Sequence, residues 1–388
     1  MARDADRWTA MTPLRIGITC YPSVGGSGVL ASALGEELAA RGHEVHFISY
    51  ERPFRLAENA PRIHFHPVNV SDYDLFKYPD YTLPLSVKMA EVTRDFGLDI
   101  LHVHYAVPHA TAALLARDML PPEIHPRIVT TLHGTDTTLL GSDRGYGPAI
   151  LHALKCSDAV TTVSAFLKAE TQRRIGFTGS IDVIHNFFTP RAPRRSREEV
   201  RKELGIAPDV EGAPLILHIS NLRPLKRIDL LLKTFAEIPS HPDRRLVIIA
   251  GDSFARFEPM VGQLGLTGKV IVREGVADIE DYLQAADIGL FTSESESFCL
   301  GILEAMCFGC PSVAMAVGGI PEVIDDRVTG LLVPFGDTAA AAHALTAMFD
   351  SQKRRTMGEA ARTSARTRFS ADAIVPQYEA LYRRLLTR

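Results

Sequence analysis

A chain of 388 residues is too long for one ordinary core, and its net charge of −4 argues against general nucleic-acid binding. Hydrophobic residues make up 46% and charged residues 23%, the balance of a soluble globular protein, and no apolar run approaches the ~20 residues that span a bilayer. Five cysteines are too sparse and odd a set for a disulfide framework, and residues 1–7 lack an apolar signal segment, so a reducing cytoplasm is expected.

Residues 14–20 read as the first strand, followed by a glycine-rich turn over 21–28. A helix with Val29, Leu30, Leu34 and Leu38 on its apolar side then stops at Gly42, ahead of a strand at 44–50. Glycines at a β-to-α turn let backbone approach a ligand, and the helix N-terminus favours phosphate, although the spacing misses G-x-G-x-x-G. Further strands are predicted at 62–68, 99–104, 127–133, 159–164 and 181–186, with helices near 86–96, 108–118, 148–156 and 165–174. That alternation means an open, mainly parallel α/β sheet, whose ligands sit beyond the carboxyl ends of the strands. The rule selects residues 23–27 (Ser23, Gly25 and Gly26 among them), Tyr105, His133 to Asp136, and Asn186.

Residues 189–213, with prolines framing a run of Arg and Glu, are the expected junction, and a short helix fits at 196–204. A second α/β series follows, with strands predicted at 215–220, 245–251, 270–275, 288–293, 311–316 and 330–334. The fold class is therefore α/β, with two facing Rossmann-like domains, 1–190 and 191–369, and a cleft between them. The final helix, 370–388, carries Ile374, Tyr378, Leu381, Leu385 and Leu386 on one face and is expected to pack back near the first domain.

Chemistry concentrates in residues 293–306. Glu296 lies in a loop and Glu304 in the helix after it, with seven residues between them. The backbone N–H groups of Phe298, Cys299, Leu300 and Gly301 fall where that helix starts and can face an anion. Carboxylates for hydroxyls beside N–H groups for phosphate suit a sugar nucleotide; alone, the stretch reads equally well as an acid-capped helix. Asn221, Arg223, Lys226 and Arg227 precede another helix, where cations suit a diphosphate. His102 and His104 share one face of a strand, but the rest of a metal-ligand set is missing, so no metal is expected. Cys307 and Cys310 close a helix instead of opening one, which suits buried apolar residues and not a redox pair.

Taken together these motifs resemble the retaining GT-B glycosyltransferases of family 4, over essentially the whole chain. Segments 20–28, 101–110, 131–136 and 219–227 look closest to the branch that moves N-acetylglucosamine from UDP-N-acetylglucosamine to L-malate, the first step of bacillithiol biosynthesis. The resemblance implies two small-molecule substrates and no cofactor. It also implies no nucleic-acid partner and no stable membrane anchor, and it leaves a homo-oligomer open. By resemblance, Glu304 holds the ribose hydroxyls and Glu296 the transferred sugar, while Arg223 and Lys226 clamp the diphosphate with backbone near Gly25, Gly26 and Leu300. Asn186, Asn221, Phe298 and Cys299 complete the donor set, and His133 lies near the anomeric carbon. His133, Glu296, Arg223 and Lys226 are the catalytic candidates.

Ser23, Lys88, Tyr105 and Thr135 resemble the acceptor-anion site. Two departures stand out: Asn221 occupies a place where many members carry arginine, and Leu151 one where malate-specific relatives often do. Arg144 is the nearby candidate to replace the latter. Asp136 is the nearest carboxylate to a nucleophile position. The competing readings are another anionic acceptor, a lipid acceptor, a non-catalytic sensor, and a UDP-N-acetylglucosamine 2-epimerase, which needs no acceptor.

Overall fold

The structure, a computed structural model, describes residues 12–22, 26–57, 59–70, 80–206, 214–239 and 244–387. The chain divides into two compact units, Met1–Asn186 with Ala371–Arg388, and Phe187–Ser370.

The first unit is built on strands β1 (Arg15–Thr19), β2 (Glu44–Ser49), β3 (Ile63–Pro67), β4 (Ile100–His104), β5 (Arg127–Leu132), β6 (Ala159–Thr162) and β7 (Asp182–Val183). Their order is β3-β2-β1-β4-β5-β6-β7, and every pairing is parallel. Parallel neighbours need crossovers, supplied by α1 (Gly26–Ala40), α2 (Thr82–Phe96), α3 (Thr111–Asp118), α4 (Gly147–Cys156) and α5 (Ala165–Ile175). All five residues of β4 are buried, as expected for a strand covered on both faces. Helix α1 can lie this close to the sheet because residue 35 is glycine: a Cβ there would sit 2.3 Å from the Phe47 ring.

The second unit opens with α6 (Arg197–Glu203), started by a Ser196–Glu199 capping box. Its strands are β8 (Leu215–Ser220), β9 (Arg245–Ala250), β10 (Val270–Glu274), β11 (Ile288–Phe291), β12 (Ser312–Met315) and β13 (Gly330–Val333). Their order is β10-β9-β8-β11-β12-β13, again all parallel. Around them run α7 (Ile228–Glu237), α8 (Glu258–Gln263), α9 (Ile279–Ala285), α10 (Leu300–Cys307), α11 (Ile320–Val323), α12 (Thr338–Ala347) and α13 (Ser351–Arg368). Strands β8, β9, β11 and β12 run through the buried core of this unit.

The last helix, α14 (Ala371–Leu386), belongs to the first unit. Tyr378 and Tyr382 are buried, and the Tyr382 hydroxyl lies 2.7 Å from His102 Nδ1 on β4. Glu379 meets His43 at 2.9 Å, Arg41 meets Asp372 at 2.8 Å and Arg384 meets Asp182 at 2.6 Å, so polar contacts frame the apolar seam.

Two elements differ from the sequence expectation. The strand expected at 181–186 pairs only over Asp182–Val183, because it is the sheet's edge and the chain leaves the ladder there. The strand expected at 288–293 ends at Phe291, because Thr292 and Glu294 bond to the neighbouring loop instead of to a strand.

Candidate functional site

In each unit the sheet order reverses at one point, between β1 and β4 and between β8 and β11. Loops leaving neighbouring strands toward opposite sides open a crevice there, the usual ligand position in such sheets.

In the second unit the loop after β8 carries Asn221 and Arg223, then a tight turn over Pro224–Lys226, with Arg227 at φ 51° before α7. The loop after β11 carries Ser293 to Phe298, and Cys299 at φ 72° turns the chain into α10, which begins at Leu300. The two loops are laced together. Glu294 N donates to the Leu225 carbonyl at 2.8 Å, and Thr292 Oγ1 donates to the Arg227 carbonyl at 3.1 Å. Lys226 Nζ donates to Glu296 Oε1 at 2.6 Å, and Ser293 Oγ donates to the same oxygen at 2.7 Å. Burial works against the Lys226 ammonium, but the Glu296 carboxylate outweighs it and holds its pKa above the ordinary value. From the loop between β12 and α11, the Gly319 N–H donates to the Glu296 carbonyl at 2.9 Å. Glu296 and Glu304 are both buried, at 8% and 6% exposure. Phe298 is buried edge-on against Phe369 at 5.5 Å, while Arg223 is exposed. Arg227, beside the lysine, is committed elsewhere, to Asp229 at 2.8 Å and Glu294 at 3.4 Å. The arrangement offers buried carboxylates, a charged lysine held on one of them, and an exposed arginine one turn away.

In the first unit the ends of β4 and β5 meet. His133 Nε2 lies 2.8 Å from His104 Nδ1. Tyr105, at φ 82°, donates its hydroxyl to Ser27 Oγ at 2.8 Å, and its ring centroid lies 5.2 Å from that of His133. Asp136 accepts from the backbone N–H of Ala106 at 2.9 Å and of His133 at 3.4 Å. It is fully buried, and burial pushes its pKa up to about 7 against the pull of those N–H groups. Asp136 thus ties two strand ends together, and a carboxylate closed off in this way is no nucleophile; the sequence had left that role open to it.

His102 and His104 are fully buried with ring centroids 4.7 Å apart. His102 spends its nitrogens on Tyr382 and on Thr131 Oγ1, both at 2.7 Å, and no group of metal-ligating side chains occurs among the described residues. Burial lowers both His102 and His133 to about 3, so both are neutral at neutral pH.

Of the remaining candidates, Lys88 on α2 pairs with Glu91 at 2.5 Å, and Thr135 is half-buried. Arg144 is exposed on the turn before α4, on which Leu151 is half-buried. Gly26 begins α1, whereas Ser23 and Gly25 lie outside the described residues. Asn186 is buried, and its Oδ1 has no hydrogen-bond partner among the described residues.

Sequence reasoning reached Ser293 and Ser27 only as members of the stretches 293–306 and 23–27, and His104 only as a metal-ligand candidate, without their partners Glu296, Tyr105 and His133. Ser293 had a signal in its spacing, a serine three residues before a glutamate, which reads as a capping box but here braces a strand-end loop. The alternation of His102 and His104 was visible, but their partners, Tyr382 and His133, lie far along the chain.

Two Rossmann-like units with parallel sheets, each bearing loop-borne polar groups at its reversal point, define a GT-B glycosyltransferase fold. Residues 24–192 match the family described as Glycosyltransferase Family 4, and residues 196–364 the one described as Glycosyl transferases group 1. The chain is 44% identical over 372 residues to N-acetyl-alpha-D-glucosaminyl L-malate synthase of Bacillus anthracis, covering 95% of this chain and 96% of that one. It belongs to the family-4 glycosyltransferases. A D-inositol 3-phosphate glycosyltransferase of Xylanimonas cellulosilytica is 30% identical over 308 residues, 74% of this chain and 72% of that one. A glycosyltransferase from Rickettsia africae shares the fold, with a TM-score of 0.79 at 20% identity over 97% of this chain and 99% of that one.

Proposed function

We propose that the chain transfers N-acetylglucosamine from UDP-N-acetylglucosamine to the hydroxyl of L-malate with retention of the α configuration. The observation that carries this reading is the 44% identity to the Bacillus anthracis synthase along nearly the whole of both chains. In the reaction the bond from the anomeric carbon to the diphosphate oxygen breaks, and a bond from that carbon to the malate oxygen forms on the same face. The malate hydroxyl proton passes to the leaving diphosphate, so no protein nucleophile is required. Lys226 and Arg223 stabilise the charge that grows on the diphosphate. Glu304 holds the ribose, and Glu296, braced by Lys226 and Ser293, holds hydroxyls of the sugar. Lys88, Tyr105, Thr135 and Arg144 are the groups offered to the malate carboxylates. All five cysteines are free, which fits a reducing, cytoplasmic setting, and no helix among the described residues is long and apolar enough to cross a membrane.

The test is UDP release from UDP-N-acetylglucosamine with L-malate, other hydroxy acids, inositol phosphate, or no acceptor. Malate-selective release with an α-linked product is expected. Release only with inositol phosphate would overturn the acceptor assignment, and a new sugar nucleotide formed without any acceptor would make the protein an epimerase.

A further inference from the structure

His133 stands at the end of β5 with one ring nitrogen bonded inside the fold, its Nε2 lying 2.8 Å from His104 Nδ1. Two neutral imidazoles that share a hydrogen bond must divide the donor and acceptor roles, and the division fixes which nitrogen of each ring carries the proton. The surroundings of His104 decide it. His104 is fully buried, and its Nε2 has no hydrogen-bond partner among the described residues. If His133 donated, His104 would carry its proton on that Nε2 and strand an N–H in the interior. Orphaned buried donors are the rarer and costlier defect. If His104 donates from Nδ1, only a lone pair stays unpaired. The neighbouring His109 already has that arrangement: its Nδ1 donates to the His104 carbonyl at 2.5 Å, which leaves a buried Nε2 lone pair without a partner among the described residues.

We propose that His104 is a positioning residue whose Nδ1–H donates to His133 Nε2 and locks His133 as the Nδ1–H tautomer. His133 then meets the transferred sugar as a hydrogen-bond donor and not as a base; this last step rests on the transferase reading above, whereas the tautomer does not. The ring of His104 is set for the task. It packs against His102, at 4.7 Å, and meets His133 edge to edge, the ring centroids 5.1 Å apart across the hydrogen bond, and His102 is itself pinned by Thr131 and Tyr382. Burial keeps all three rings neutral at neutral pH, so the donor brings no net charge to the sugar. A donor suits a reaction in which the leaving diphosphate takes the acceptor proton, because no protein base is then needed.

The test reads the tautomer directly. In protein labelled with 15N at its histidine rings, the His133 resonances are assigned by their loss in His133→Gln and followed without substrate. The proton is expected on Nδ1. His104→Asn keeps an amide N–H near the place of Nδ1, and is expected to keep the tautomer and to stay within about threefold of wild-type turnover. His104→Phe keeps a stackable ring without the donor. It is expected to give mixed tautomers and to lower kcat about ten- to a hundredfold, with donor KM less affected. A wild-type His133 protonated on Nε2 would overturn the proposal even if no variant folded. So would a folded His104→Phe with unchanged tautomer and kcat. Because the spectrum needs no substrate, a failure of malate transfer alongside an Nδ1–H spectrum would overturn the functional reading alone.

Discussion

Gly318→Ala tests how closely the backbone must hold Glu296, the glutamate proposed to hold the sugar. Gly318 follows β12 at φ +58°, and a Cβ on it would lie 2.0 Å from the Glu296 carbonyl oxygen and 3.0 Å from its carbon. Ordinary contact begins at 3.4 Å, so the Glu296 backbone must retreat by about 1.4 Å. The left-handed conformation adds about 1–2 kcal/mol of strain for alanine. Retreat drags the carboxylate away from Lys226 and Ser293, which reach it at 2.6 and 2.7 Å. Misplacing a positioning group by ~1 Å costs about a hundredfold in rate. Gly336→Ala separates strain from displacement: it has φ +84° and nothing within 4 Å of its would-be Cβ. Thermal unfolding and the kcat/KM for UDP-N-acetylglucosamine are measured on both variants. Gly336→Ala should lose about 1–2 kcal/mol of stability from strain alone and Gly318→Ala more, and only Gly318→Ala should lose about a hundredfold in kcat/KM. A Gly318→Ala enzyme within about threefold of Gly336→Ala in kcat/KM would refute the reasoning.

Three further outcomes are expected. Lys226→Ala should lower kcat about a hundred- to a thousandfold, and exposed Arg223→Ala less; unchanged turnover in Lys226→Ala would remove it from charge stabilisation. Arg144→Ala should raise malate KM about tenfold with donor KM unchanged, and an unaltered malate KM would show that Arg144 does not replace the cation absent at Leu151.

Acid should destabilise the fold. Burial depresses His102 and His133 to about 3 and His109 to about 4, from an ordinary 6.5, so the stability they contribute is present above pH 6.5 and is lost as pH falls toward those values. Asp136, raised from 3.8 to about 7, acts oppositely, its contribution being present below 3.8 and lost as pH rises through 7. Unfolding in the middle of the range from pH 6.5 to 4 therefore adds a net of about two protons to these four groups, so stability falls by roughly 3 kcal/mol per pH unit there. The urea midpoint at pH 5 should fall below that at pH 7; an equal or higher midpoint would contradict the burial of the cluster.

The residues themselves determined the alternation of strands and helices, because period and turn chemistry are local. They also determined which residues stand at strand ends, and hence, once the order is known, that Tyr105 and His133 leave neighbouring strands of the first unit and Asn221 and Glu296 neighbouring strands of the second. The apolar face of α14 could be read at Ile374, Tyr378, Leu381 and Leu385, but the surface that covers it could not. That surface is set by β4, some 280 positions away, where His102 bonds Tyr382. Only the tertiary structure decided that Lys226 reaches Glu296 across 70 positions, that Asp136 is closed off between two strand ends, and that His104 bonds His133 while packing on His102. The physical reason is the same in each case. A side chain's propensity is spent within a few residues of backbone, whereas its partner and its burial depend on which strands the crossovers bring side by side.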